Sequence, residues 1–320
     1  METKLASAQK TRIPVMAVIN QLRMLLVLVG LVVIFSILSP HFLSANNFSA
    51  IGLTISVIGI VCIGQSIALL TGDFDLSVGS VAGFCGIVVA QLTKNHGMYP
   101  LMLLLGIGLG ALIGLVNGFL VAKAKVNALI TTLGMMTVFQ GATFLVSNGF
   151  AVGVNTPEFR FLGTTQLAGV PMPILILVVL YVIFYFILRY TVFGRYVYSI
   201  GGNAEAARLS GINVDRVRIW VFVLLGLLSS FGGILLASRL GSAQTTAGNL
   251  YPLNSIGACV LGGIAITGGM GNLFGALIGV AIIGVLRSGL IMVNMPSYYQ
   301  WVANGIVLIL AVYLDTRRRR

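Results

Sequence analysis

Polar side chains are scarce in this sequence, so the places where they gather point to its work. One is Thr71-Gly-Asp-Phe-Asp-Leu-Ser-Val-Gly-Ser80, with two carboxylates two residues apart and a hydroxyl two further on. Asp75 and Ser77 at that spacing suit one of two tasks. They cap the helix that follows, since carboxylates favour the positive end of a helix dipole, or they line the inner end of a solute path. Neutral hydroxyl and amide groups are also scattered through apolar runs: Gln65, Ser66, Asn117, Asn127, Thr131, Thr132, Gln140, Asn254 and Asn304. Such groups offer a neutral polar solute exchangeable hydrogen bonds without a charge to trap it; equally, they serve as glue between helices. The third gathering is basic and runs from Gly194, Arg195 and Tyr196 through Gly201, Gly202 and Asn203 to Gly211 and Ile212. Within it, Glu205, Ala206, Ala207, Arg208 and Leu209 are good helix formers, with Asn203 as a cap and Gly211 as a stop. A helix of one or two turns is expected there, fit to enter a groove on another protein or simply to face lipid headgroups.

Covalent chemistry has no foothold. The sequence contains no G-x-x-x-x-G-K-[S/T] phosphate loop, no H-E-x-x-H and no serine nucleophile elbow. His41 and His96 read as solvated loop residues, and Cys62, Cys85 and Cys259 as small packing residues inside apolar runs. No catalytic residue, metal site or bound cofactor is expected.

The elements that hold these residues must lie in a bilayer. Of 320 residues, 58% are hydrophobic and 8% are Asp, Glu, Lys or Arg, against about 25% charged in a soluble domain. Water-soluble and disordered readings are excluded. The net charge of +12 lies between apolar runs rather than in a basic stripe, which argues for topology control and against nucleic acid. A hydrocarbon core of about 30 Å needs roughly 20 helical residues. On that measure the expected spans are 24–39, 51–70, 77–92, 99–121, 128–147, 172–188, 219–237, 253–266, 273–293 and 298–314. The third and eighth are short, as broken helices beside a cavity are. The first run lacks a small-x-small cleavage site and reads as a retained helix.

Loop charges orient the bundle. Lys4, Lys10, Arg12 and Arg23 precede the first span, and Lys123 and Lys125 lie in 122–127. Arg189, Arg195, Arg208, Arg216 and Arg218 lie in 189–218, and Arg317 to Arg320 close the tail. All fall on one side if both ends, 1–23 and 315–320, are cytoplasmic, leaving Lys94, Arg160, Arg239 and Arg287 for the outside or the membrane. The expected fold is therefore all-α and polytopic: a single membrane domain over 1–320, membrane-embedded over 24–314. GALIG occurs at Gly110 to Gly114 and again at Gly275 to Gly279, each followed by a Val-Asn pair, Val126-Asn127 and Val293-Asn294. Asp75-Leu76-Ser77 opens the third span much as Pro252-Leu253-Asn254 opens the eighth. This suggests an inverted repeat relating spans 2–5 to spans 7–10, unless the strings recur by chance in a Gly/Ala/Leu-rich chain. Asp73 and Asp75 read as lying near the inner ends of their spans, which leaves no ionisable group at mid-membrane. A gradient-coupled carrier would lack its usual ion site, so a transporter of this kind draws energy from a partner protein.

At the 189–218 loop a resemblance becomes plain. Glu205-Ala206-Ala207 followed by Gly211 looks like the EAA-type coupling motif of ATP-binding-cassette importer permeases. The run GRYVYSIGGNAEAARLSGI resembles the cytoplasmic loop of the ribose/arabinose/xylose-type monosaccharide permeases. TGDFDLSVGS matches that family's G-x-D-L-S-V-G-S signature, and KVNALITTLGMM (Lys125 to Met136) is similar again, most of all to its arabinose and ribose members. The resemblance covers essentially the whole chain. It implies a transport subunit and not an enzyme: a permease importing a monosaccharide, such as a pentose, across a bacterial inner membrane. It implies as partners a cytoplasmic ATPase that carries the ATP and Mg, a periplasmic or surface sugar-binding protein, a second permease copy (homodimer) and membrane lipid. Gly194, Arg195, Gly201, Gly202, Asn203, Glu205, Ala206, Ala207, Gly211 and Ile212 would then form the ATPase-coupling segment. Two positions depart from the pattern: Pro252 stands where members often carry an acid, and Met270 where they tend to carry a base. The alternative reading is a secondary sugar carrier or facilitator working without an ATPase.

Overall fold

The computed structural model describes residues 15–296 and, beyond them, 298–303, 305, 306, 309 and 313, with side chains described from residue 24 onward. Lipid offers backbone groups no hydrogen-bond partners, so the chain must satisfy them within helices. The described residues form α1 (Val15–Leu38), α2 (Ala45–Leu70), α3 (Val78–His96), α4 (Tyr99–Ala122) and α5 (Ala128–Ser147), then short β1 (Val152–Gly153). There follow α6 (Pro157–Thr164), β2 (Gln166–Leu167), β3 (Val170–Pro171), α7 (Met172–Tyr190), α8 (Val192–Gly202) and α9 (Ala204–Leu209). Last come α10 (Val214–Leu240), β4 (Ser242–Ala243), α11 (Tyr251–Leu261) and α12 (Leu273–Met292). Polar residues punctuate the apolar runs: Ser44, Asn127, Thr156 and Asn272 each accept a backbone N–H at the start of the helix they cap.

The all-α, polytopic reading holds, with corrections to its elements. Among the described residues, six helices, α2, α4, α5, α7, α10 and α12, are long and apolar enough to cross a membrane. The expected eighth span, 253–266, is only the 11-residue α11, about 16 Å at 1.5 Å per residue and half a bilayer. The chain re-enters to reach it, since β4 pairs with β1 beyond the far end of α10 before α11 begins. The seventh span starts earlier than expected, because α10 takes up Val214 to Arg218 from the predicted loop. Part of the tenth span, the tail Arg317 to Arg320 and the first 14 residues lie outside the described residues.

Two long helices cross at the centre. The position of Gly64 in α2 abuts Leu225 of α10, while Gly232 abuts Val61, so the pair runs antiparallel. Around them the halves are exchanged. α10 packs on α4 and α3 of the first half, and α2 on α12 and α11 of the second. α12 runs against α2, with Gly284 meeting Ile55 and Ser288 bonding Asn47. α4 likewise runs against α10, with Gly118 meeting Ile219 and Gly106 meeting Ile234. This is the inverted arrangement that the sequence suggested, but the repeated strings do not mark it. Gly110 and Gly114 face α10, whereas Gly275 and Gly279 face α11. Ser77 is the residue before α3, whereas Pro252, Leu253 and Asn254 lie inside the first turn of α11. Only Gly is small enough for these contacts, so similar strings arise wherever two helices come close.

α4 packs closely on α10. A Cβ on Gly118 would lie 2.8 Å from Ile219 Cα, and one on Gly114 would lie 2.9 Å from Val223 Cα and nearer still to the Phe222 carbonyl. Gly108, on the same helix, has open space where a Cβ would go. Gly114→Ala should therefore destabilise the detergent-solubilised protein by about 1–3 kcal/mol, the usual cost of overpacking. Gly108→Ala should be neutral or stabilise by up to about 1 kcal/mol through helix propensity. Thermal unfolding of the two variants measured side by side checks the contrast.

Candidate functional site

The basic stretch builds two short helices where the sequence suggested one. Thr191 caps α8, its hydroxyl accepting from Gly194 N–H at 3.3 Å. Gly194 is glycine because α7 leaves no room there: a Cβ would meet the Leu188 carbonyl. Asn203 then caps α9, its Oδ1 accepting from both Glu205 and Ala206 N–H at 3.0 Å. The stop is a Schellman turn: Ile212 N–H donates to the Ala207 carbonyl at 3.1 Å and Gly211 N–H to that of Arg208 at 3.0 Å. Gly211 takes φ +85° to allow it. Ala207 is buried, whereas Glu205, Ala206 and Arg208 are exposed. Leu209 is 82% exposed, an apolar knob at the end of α9 that sequence reasoning did not single out. Its signal was there: the last apolar residue of a surface helix too short to bury it.

Beneath α8 and α9 the fold is tight. Gly201 lies against the Leu70 carbonyl at the end of α2 and against Gly269, whose N–H bonds that same carbonyl at 3.0 Å. Tyr198 donates from its hydroxyl to the Gly271 carbonyl at 3.0 Å, and burial pushes its phenol above the ordinary tyrosine range. α8 is thus seated on the ends of α2 and of the 262–272 turn. Gly202 and Arg195 stay exposed, and Ile212 is half-buried. Met270 is also exposed.

Charge ties α9 to the neighbouring loop. Asp215, in the first turn of α10, accepts a hydrogen bond from Lys125 Nζ at 2.7 Å, with Lys123 at 3.9 Å and Arg208 at 3.8 Å. Arg208 also lies 3.6 Å from Glu205. Exposed pairs of this kind contribute only about 0–1 kcal/mol each, but together they hold the 123–127 and 204–215 segments in one register.

The sequence-nominated polar residues divide. Four of them meet. Asp75 Oδ1 accepts from the N–H and the hydroxyl of Ser77, both at 2.6 Å. Asn117 Nδ2 donates to Asp75 Oδ2 at 3.2 Å and to Ser77 Oγ at 3.0 Å. With its amide oriented to suit, Gln65 bonds both the N–H and the carbonyl of Asp75 at 3.2 Å. The 71–77 turn therefore folds back along the last turns of α2, deeper than the inner-end position expected for Asp75. The capping reading changes: Asp75 caps the turn ahead of α3, and all four residues are buried against one another.

The others stand apart. Ser66 bonds the Cys62 carbonyl and lies 3.2 Å from Cys259 Sγ at the α2–α11 contact. Asn127 is exposed and caps α5, accepting from Leu129 N–H at 2.9 Å, so it is no span residue. Thr131 is buried on α5, and Thr132 bonds back to the Ala128 carbonyl. Gln140 donates to the Thr245 carbonyl at 3.0 Å, tying α5 to the re-entrant segment. Asn254 is buried in the first turn of α11. Asn304 lies outside the described residues.

Residues 47–312 match the family described as the permease component of branched-chain amino acid transport systems. The ribose import permease protein RbsC of Escherichia coli K12 is 40% identical over 299 residues, covering 92% of this chain and 93% of its own. RbsC of Bacillus subtilis strain 168 is 40% identical over 320 residues, 99% of each chain. The L-arabinose ABC transporter permease protein AraH of Azospirillum brasilense is 40% identical over 303 residues, 94% of this chain and 89% of its own.

Asn203→Ala removes the acceptor of two α9 N–H groups and should cost α9 about 1 kcal/mol. Backbone exchange at Glu205 and Ala206 should then be roughly fivefold faster, while Asn203→Asp keeps protection. Amide hydrogen exchange over 203–212 reads both.

Proposed function

The chain belongs to this permease-component family, and on that premise we propose that it is the membrane-spanning subunit of an ATP-driven importer of a monosaccharide of the pentose class. Support for the sugar comes from the ribose and arabinose permeases, each 40% identical over most of the chain. The neutral amides and hydroxyls of the bundle suit a polyol better than a charged amino acid. A binding protein on the outer face delivers the sugar, two copies of the chain enclose its path, and a cytoplasmic ATPase carrying ATP and Mg drives the cycle. The chain sits in the cytoplasmic membrane amid lipid with both termini inside, and it hydrolyses no nucleotide itself.

The observation that carries the reading is α9. A six-residue helix capped at both ends, standing proud of the inner surface with Glu205 and Leu209 exposed, is a costly feature for a chain that works alone. It suits insertion into a partner's groove. Coupling then means that the partner's closure moves α9, and α8 below it, against the ends of α2 and the 262–272 turn.

Uptake of ribose and arabinose into proteoliposomes, with and without the co-purified ATPase, binding protein and ATP, tests the proposal. Uptake is expected only with all components. Leu209→Asp places a charge where an apolar anchor docks, and loss of such an anchor costs about 2 kcal/mol or more. It should therefore lower ATPase capture by roughly tenfold or more, and Glu205→Arg should abolish uptake with normal membrane insertion. Gradient-driven uptake by the chain alone, indifferent to both changes, would overturn the proposal in favour of a secondary carrier.

A further inference from the structure

Asp73 is the one carboxylate of the 71–77 turn that the polar cluster does not use. Arg218, one turn into α10, reaches it: Nε lies 3.0 Å from Oδ2, with the Asp73 side chain 8% and the Arg218 side chain 26% exposed. The contact is close, but the N–H is not aligned on the oxygen, so it is an ion pair and not a hydrogen bond. Such a pair holds by charge and tolerates a change of angle.

Its position matters more than its strength. On one side, Arg218 belongs to the helix that follows α9 without slack: the Schellman turn at Gly211 and the Asn213 cap, which accepts Arg216 N–H at 3.0 Å, join them rigidly. On the other side, Asp73 N–H is bonded to the Ala68 carbonyl at 3.0 Å, and two residues on stands Asp75, fixed to Ser77, Asn117 and Gln65. The same turn touches the glycine loop after α11, where Gly268 lies against Gly72. Asp215, three residues before Arg218, engages Lys125 on the α4–α5 loop. Among the described residues, Arg218–Asp73 is the ion pair that joins the cytoplasmic loop to the turn that opens α3.

We propose that Arg218 is a positioning residue for transport. Through Asp73 it passes displacement of α9 and α10 to the 71–77 turn, and so sets whether the Asp75–Ser77–Asn117 cluster is closed or parted. The proposal rests on the permease reading and adds to it the route by which the inner surface reaches the membrane interior. No covalent step is involved. A guanidinium suits the role because it keeps its charge when half-buried, and an uncompensated partner is strongly disfavoured there.

The test uses the full importer in proteoliposomes with ATP, loaded with radiolabelled ribose or arabinose, and reads sugar moved per ATP hydrolysed. The variants are Arg218→Gln, Asp73→Asn and the conservative Arg218→Lys. If Arg218 transmits position, Arg218→Gln and Asp73→Asn leave ATPase capture and basal hydrolysis intact while the ratio falls at least about tenfold, a loss of about 1.4 kcal/mol of coupling. Arg218→Lys should recover much of it. Hydrogen exchange over 71–80 gives an independent readout. ATP should change it in the wild type and leave it unchanged in Arg218→Gln. An unaltered ratio, or uptake and hydrolysis falling together with the amount of assembled complex, would overturn the proposal. Failure of the permease reading would show differently, as a wild-type chain with no ATP-dependent uptake.

Discussion

Everything in this bundle answers to one constraint: in hydrocarbon, a backbone group without a partner costs several kcal/mol, so any break in a helix must be sealed by the protein itself. The chain breaks its helices inside the bundle at 71–77, ahead of α3, and at 241–250, ahead of α11. Each break is sealed at once. Gln65 and Ser77 close on Asp75 at the first. The β1–β4 pairing and Gln140 close on the second. Polar residues in an apolar chain are accordingly concentrated where helices stop.

The seals explain how an inner-surface element can matter to the interior. α8 and α9 do not merely lie on the membrane; Gly201 shares the Leu70 carbonyl with Gly269. The ends of α2, α8 and the 262–272 turn therefore meet at one point. Contact this close makes the junction stiff, because the main chains touch and there is no side chain to yield. Stiffness at the surface and bonded turns beneath it are what a mechanical input requires.

Much of this was legible in the sequence. The apolar runs located the helices, and Asn203 and Gly211 marked both ends of α9, because caps are local chemistry. Re-entry was not legible. Whether 71–77 hangs below α2 or folds back along it depends on Gln65, which reads as one more amide in an apolar run until its partner is known. Asn127 misled for the opposite reason: an amide at the edge of a run looks like a span residue, yet it caps α5. The GALIG strings misled because glycine reports close approach and not the partner approached; one copy faces α10 and the other α11. Arg218 was counted as one of the loop's topology-setting cations, and nothing local shows that it turns inward to Asp73.

The two halves, opposite in direction, differ in the turns that meet beneath α8. The first half uses charge: Asp73 meets Arg218, and Asp75 takes three donors from Ser77 and Asn117. The second half uses shape: Gly262, Gly263, Gly268, Gly269 and Gly271 fill the turn after α11, four of them at positive φ. Backbone there can lie directly on the ends of α2 and α8, where a Cβ would collide. A glycine turn is bistable through its backbone, since left- and right-handed conformations cost it about the same. A charged turn is held by a long-range attraction that survives a change of angle. One surface thus carries a glycine turn beside a charged turn, and α8 touches the first while Arg218 of α10 meets the second. The two turns are not repeats of one another, since one precedes α3 and the other follows α11. A single displacement of that surface therefore bears on a charged contact ahead of α3 and on backbone shape after α11.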